Sequence, residues 1–201
     1  MRYLHMLLLP GLLVQPSVAQ ETAPDVLVAE VAGRLLTLLN ENRELYTEKP
    51  EELVWVVADE LLPIFDLDRS ARLILGRHGR SATPTQIKSF ANAMSSLLSR
   101  RYAAGLLEFN SAEQLQVMPL KGNNSDRLTR VQTRVKLEAG GFAPVDYAFR
   151  KTDKGWKAFD VSVEGISYVI TYRNQFGPQI QRDGLDAVIE KLQNGNVESS
   201  E

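Results

Sequence analysis

Few residues in this chain have the types and spacing that catalysis or metal binding requires. Of its two histidines, His5 lies in an N-terminal leader and His78 lies in Arg77-His78-Gly79-Arg80. A general base needs a nucleophile or substrate proton in reach and a group that orients the ring. His78 has arginine neighbours instead, which disfavour a protonated imidazole, and it reads as a loop residue between two helices. The pairs Asp66-x-Asp68 and Asp183-x-x-Asp186 lack the glycine and terminal glutamate of a calcium loop. They read as helix caps and first-turn charges. The chain has no cysteine, so thiol nucleophiles, thiolate metal sites and thiol redox chemistry are out of reach. No G-x-x-x-x-G-K-[ST], G-x-G-x-x-G or G-x-S-x-G motif occurs, leaving no visible means of coupling to ATP or hydrolysing an ester. The expectation is a protein that is not an enzyme and takes no metal and no cofactor.

The ends and the charge narrow the setting. Arg2, the apolar run 4–14 and Ser17-Val18-Ala19 form a secretory pattern with a cut before Gln20. The apolar run is shorter than the roughly 20 residues that a membrane span needs. Residues 1–19 are therefore expected to be a signal peptide, 20–194 a single α+β domain and 195–201 a polar tail. The net charge of −2, without a basic block, argues against nucleic acid as a partner. Export without disulfides suits a bacterial periplasm, where the core alone must hold the fold.

The elements that position any site follow from periodicity. Asp25 is expected to cap a first helix carrying Val28, Val31, Leu35, Leu38 and Leu39 up to Asn42, and Pro50 opens a second that Pro63 ends. Asp66 or Asp68 caps a third with Ala71, Ile74 and Leu75, stopped at Gly76. Thr83-Pro84-Thr85-Gln86 combines a capping box with a proline at the first helical position. The helix it starts carries Phe90, Met94, Leu97, Leu98 and Tyr102 on one face and reaches about Phe109. The period then becomes two: Leu115 and Val117, a turn at 121–124, Val131 to Leu137, a hairpin at Gly140-Gly141, Val145 with Tyr147 and Phe149, a turn at Asp153-Lys154-Gly155, and Trp156 to Val163 with Phe159, Val161 and Val163 inward. Ser167 caps a helix that Gly177-Pro178 interrupts, and a last helix runs from Leu185 to Leu192. Helices, a four-strand meander and helices again make an α+β fold.

The C-terminal third carries a resemblance. Trp156-Lys157-Ala158-Phe159-Asp160-Val161-Ser162-Val163-Glu164-Gly165-Ile166-Ser167-Tyr168, followed by Tyr172-Arg173-Asn174-Gln175-Phe176 and Gly184-Leu185-Asp186, resembles the signature of the MlaC family, also described as toluene-tolerance auxiliary proteins. The segment from Phe65 to Arg77, and Ala82-Thr83-Pro84 with Gln86 and Phe90, extend the likeness over about 25–192. The loop 122–128 and the acidic tail look individual. The resemblance implies a periplasmic phospholipid carrier whose cargo is the lipid itself. It would exchange lipid between an outer-membrane lipoprotein–porin complex and an inner-membrane ABC transporter complex with its substrate-binding MCE subunit. The implied fold is a curved, mostly antiparallel sheet of about four strands, NTF2-like in shape, with helices enclosing an apolar cavity.

A carrier must supply an apolar wall in place of the bilayer. At about 0.8 kcal/mol per methylene, two acyl chains of about 15 carbons stake roughly 20–25 kcal/mol, while the headgroup must stay wet or paired. The expected wall is Val131, Val135, Leu137, Tyr147, Phe149, Phe159 and Val161 from the strands, with Leu62, Ile74, Met94, Leu98, Tyr102, Ile166 and Val169 from the helices and their flanks. Each is equally a candidate for a filled core. Tyr172 and Arg173 read as structural, pinning their helix to the strand end. Arg69, Arg72, Arg77, Arg80, Arg100 and Arg101 form either a docking rim or a solvated face. Two other functions stay open at this point. One is a small isomerase or hydratase on an NTF2-like scaffold, which needs an Asp, His or Tyr set converging in the cavity with shifted pKa values, where Tyr102 and Tyr147 are the inward residues that are not apolar; the other is an envelope adaptor that binds no lipid and has a filled core.

Overall fold

The computed structural model describes residues 22–120, 125, 127–137 and 139–195. The expected leader and its cleavage point, the turn at 121–124 and the tail beyond Gly195 lie outside the described residues. Helix α1 spans Pro24–Glu41. Its N-cap is Ala23, not Asp25: Pro24 at the first helical position has the right φ and no N–H to satisfy, so the helix starts before the acid. Asp25 falls in the first turn, where its charge faces the positive end of the helix. A short helix that the periodicity did not reveal, α2 (Arg43–Glu48), precedes α3 (Pro50–Leu61). A 3-10 turn containing Pro63 then leads to α4 (Leu67–Leu75). The Asp66 carboxylate caps α4 by accepting from the Arg69 N–H at 3.0 Å, and Gly76 stops it at φ 55°.

Helix α5 (Pro84–Leu106) begins on the anticipated capping box. The Thr83 hydroxyl accepts from the Gln86 N–H at 3.2 Å, and the Gln86 side-chain oxygen accepts from the Thr83 N–H at 3.0 Å. Beyond Leu106 the chain tightens into i→i+3 bonds as far as Phe109. The sheet follows: β1 (Leu115–Val117), β2 (Leu128–Lys136), β3 (Phe142–Thr152), β4 (Gly155–Val163) and β5 (Ile166–Ser167), all antiparallel in the order β1-β2-β3-β4-β5. The fifth strand is the difference from expectation. Its two residues pair with Ser162 and Val163 after a tight turn at Glu164 and Gly165, both at positive φ, and two residues are too few for alternation to show.

Helix α6 (Tyr168–Asp183) is capped by Ser167, whose hydroxyl accepts from the Ile170 N–H at 3.1 Å. Gly177-Pro178 does not interrupt it. Pro178 forfeits one helical hydrogen bond, but Phe176 and Ile180 on either side are buried in one apolar cluster, which carries the helix across the defect. Helix α7 (Leu185–Gln193) completes the chain.

Three apolar clusters hold these elements together. One joins α4, α5, α6 and α7 through Leu75, Phe90, Phe176 and Leu192, with the Phe90 and Phe176 rings edge to face at 5.8 Å. A second joins α1, α2, α3 and the end of α5 through Leu39, Tyr46, Leu53 and Ala103. The third seats Val28 of α1 against Val131, Phe149 and Ala158 on the sheet. Helix α5 runs through the first two, so its capped start and its far end are fixed in different packs.

Candidate functional site

Between the three clusters the side chains do not meet. They leave a cavity of about 660 Å³, and Tyr102, one of the residues lining it, is 41% exposed. At about 30 Å³ for a group the size of a water or methylene, that is room for at least about twenty such groups, well beyond one ring.

The wall is built from helix faces and strand alternation. Helix α1 presents Val28, Val31, Ala32, Leu35, Leu36 and Leu39; α3 and the turn after it present Val57, Leu61, Leu62, Ile64 and Phe65; α4 presents Leu67, Ala71 and Ile74. Helix α5 contributes Ala91, Met94, Ser95, Leu98, Ser99, Tyr102 and Leu106, at the spacing of one helical face. The sheet contributes Val117, Val135, Tyr147 and Val161, and Val161 pairs with Tyr147 in the register. Phe159 enters by a different route. Ala148 faces Asp160 and Phe149 faces Ala158, so Phe159 is the extra residue of a bulge, and a bulge re-aims the side chain it carries. Its carbonyl accepts from the Ser70 hydroxyl at 2.8 Å, and the Arg69 guanidinium lies 5.6 Å from its ring centroid.

Ten expected wall residues therefore border the hollow: Leu62, Ile74, Met94, Leu98, Tyr102, Val135, Tyr147, Phe159, Val161 and Val169. Four do not. Val131 and Phe149 have the predicted inward orientation, but the start of α1 packs on that end of the sheet and leaves both at 0% exposure in a filled core. Leu137 lies one residue past β2, beyond any covering helix, and is 43% exposed. Ile166 sits in β5 at the sheet's margin and is 64% exposed. Among the liners that the expected wall did not include are the face of α1, Leu61 of α3, Tyr168 and Tyr172 of α6, the 109–115 segment (Phe109, Ser111, Ala112 and Leu115), and the small residues Ala91, Ser95 and Ser99. The spacing of those three on α5, every fourth residue, was a signal available in the sequence.

Polar groups in the wall are few. The carboxylate at its edge is Asp160, and both oxygens are taken: one accepts from the Ser167 hydroxyl at 2.6 Å, the other from the Val169 N–H at 3.1 Å. It caps α6 and does not point free into the space. The Ser70 and Ser95 hydroxyls turn to backbone carbonyls. Burial pushes the Tyr147 hydroxyl above its ordinary pKa, opposed by a hydrogen bond with the Thr133 side chain.

A tyrosine group stands at the exposed end. The Tyr102 and Tyr168 rings stack at 5.8 Å with an 18° interplanar angle, Tyr172 lies edge-on to Tyr168 at 6.1 Å, and all three line the cavity. Arg101 lies over Tyr102 at 5.9 Å. Burial, with hydrogen bonding and charge repulsion from Tyr102, raises the hydroxyls of Tyr168 and Tyr172, the latter to about 12, while the Arg101 charge acts in the opposite sense. Arg173 is structural as expected, but it pins α6 to α4 and not to the strand end: its Nε donates to the Leu73 carbonyl at 2.7 Å, and its side chain packs over Gly76. The remaining arginines do not form a single rim. Arg77 donates to His78 and Gln181, and neither it nor His78 borders the cavity.

Similarity to known proteins accords with this architecture. A phospholipid-binding protein from Ralstonia solanacearum, solved in complex with a phospholipid, superposes with a TM-score of 0.76 at 24% identity, over 86% of this chain and 96% of that one. The intermembrane phospholipid transport system binding protein MlaC of Haemophilus influenzae is 26% identical over 92% of this chain and 87% of its own length. The toluene tolerance protein ttg2D of Pseudomonas putida is 31% identical over 85% of this chain and 78% of its own. The family model described as MlaC protein matches residues 29–194. With that span running from within α1 past the end of α7 and taking in all of the cavity's lining but Val28, the chain belongs to the MlaC family.

Proposed function

We propose that this protein is a periplasmic phospholipid carrier that holds acyl chains in the apolar cavity and is not an enzyme. The observation that carries the reading is the hollow itself: about 660 Å³, walled by aliphatic and aromatic side chains, in a domain that could otherwise have closed. The relatives named for phospholipid transport, and the similar structure that contains a phospholipid, support it. The carboxylate that lines the cavity, Asp160, is committed to the Ser167 hydroxyl and the Val169 N–H, and the lining tyrosines Tyr147, Tyr168 and Tyr172 are held as neutral phenols by burial, so neither supplies the free proton acceptor that an isomerase or hydratase would need. An adaptor without cargo would have no use for an unfilled core of this size.

On this reading the carrier binds and releases but does not drive transport, since a binding protein shifts equilibria only by differential affinity. Its docking partners would be an outer-membrane lipoprotein–porin complex and an inner-membrane ABC transporter complex with its MCE subunit. Among the described residues no helix is long and apolar enough to cross a membrane, which is compatible with a shuttle. The test is native mass spectrometry of the gently purified protein. Phospholipid should co-purify, and Leu98→Trp, which fills the space beside α5, should lower its occupancy several-fold while the protein stays folded. Protein free of lipid in repeated preparations, or occupancy untouched by Leu98→Trp, would defeat the reading.

A further inference from the structure

The wall is apolar nearly throughout, yet three phenol groups gather in it beside the exposed Tyr102 edge. Tyr102, at the rim, stacks on Tyr168, and Tyr168 meets Tyr172 deeper in. The ring contacts bring three phenols together along one stretch of the wall. Above them the Arg101 guanidinium rests on the Tyr102 ring and forms no ion pair among the described residues. A purely structural cluster would not need its hydroxyls to converge beside an uncommitted cation where an apolar hollow opens.

We propose that Tyr102, Tyr168, Tyr172 and Arg101 form a subsite for the phosphodiester of the bound lipid. This rests on the carrier reading above and adds where the polar end of the cargo sits. A phosphodiester carries one negative charge and oxygens that only accept, so it requires donors. The cluster has three phenol O–H groups and one planar, always-charged fork, the geometry that pairs best with phosphate oxygens. Tails directed inward from this point lie along Leu98, Met94 and Ile74, and the headgroup beyond the phosphate stays in water. Leaving the phosphodiester unpaired at an apolar rim would be costly. The subsite selects for the phosphodiester, so a lipid with the same tails and no phosphate should bind less well.

The experiment is a competition. The full chain is delipidated and offered equal amounts of dioleoyl phosphatidylglycerol and dioleoylglycerol, and the ratio bound is read by native mass spectrometry, so that any general weakening cancels. The wild-type protein should favour the phospholipid. Arg101→Gln, at an exposed position, and Tyr102→Phe with Tyr168→Phe, which keeps the stacked rings, should each lower that preference by about ten-fold or more, as expected for losing hydrogen bonds to a charged group. An unchanged ratio in both variants overturns the subsite and leaves the carrier reading standing. A wild-type protein that takes up neither lipid overturns the carrier reading itself. Excess inorganic phosphate should not displace the phospholipid; if it does, the cluster is a free-phosphate site and the assignment fails.

Discussion

Phe149 and Val161 lie on the same face of the sheet, two residues from being direct partners, yet they have different energetic roles. Phe149 has no exposed surface and packs against Val28 and Ala158, whereas Val161 borders empty space. Phe149→Ala should destabilise the lipid-free protein by about 3–5 kcal/mol, with a cavity opened in a filled region. Val161→Ala should cost no more than about 1 kcal/mol, because the methyls it removes already lack partners on one side. Urea unfolding of both variants measures the difference, and equal costs would mean the wall and the core are wrongly divided. The tyrosines give a pH dependence. Tyr172 is raised from 10.0 to about 12, so folding favours the neutral phenol. That contribution is complete below pH 10 and is lost as pH rises through about 12. Ultraviolet titration should show the Tyr172 phenolate forming well above the ordinary tyrosine range, and Tyr172→Phe should flatten the alkaline fall in stability. Alternation made Val135, Tyr147 and Val161 legible as inward residues. Ala91, Ser95 and Ser99 recur at every fourth residue, which the sequence shows, but hydrophobicity carries no sign that a small residue on such a row stands beside a void.

At the scale of elements, residues with strong local chemistry were read correctly. The Thr83–Gln86 box and the Asp66 cap stand where their hydrogen-bonding groups require. What failed was local chemistry overridden by neighbours: Pro24 displacing Asp25 as the start of α1, and packing of Phe176 and Ile180 carrying α6 through Pro178. Two elements, α2 and β5, were too short for a period to be detected. Helix α1 also holds a weak point. Gly33 lies mid-helix, and a Cβ built there meets nothing within 4 Å. Gly33→Ala should therefore stabilise the protein by about 0.5–1 kcal/mol, through lower backbone entropy in the unfolded chain. A rise in thermal midpoint checks this, and a fall would show that the position is tighter than the geometry indicates.

For the whole molecule, the sequence leads to an α+β meander with covering helices, but whether those layers touch depends on the summed volumes of three clusters. No single segment encodes that sum, so the cavity was reachable only through family resemblance. The cavity links cargo to stability. A ligand that binds only the folded state stabilises it by about 2.7 kcal/mol at a hundred times its dissociation constant, so extracting the lipid should lower the thermal midpoint and re-adding phosphatidylglycerol should restore it. Scanning calorimetry before and after delipidation reads this directly; matching midpoints would mean that nothing of consequence had been held.

One row on α5 sets a limit on what this molecule can hold. Ala91, Ser95 and Ser99 follow one another up the helix at every fourth residue, each with its small side chain toward the hollow. They act as the bore of the channel. On the carrier reading, a leucine at any of the three would be a stop at a defined depth, about one helical turn from the next, so the row would work as a gauge graduated in tail length. Cargo of different reach could thus be accommodated by exchanging single side chains along one helix, with the sheet and the other six described α-helices left as they are.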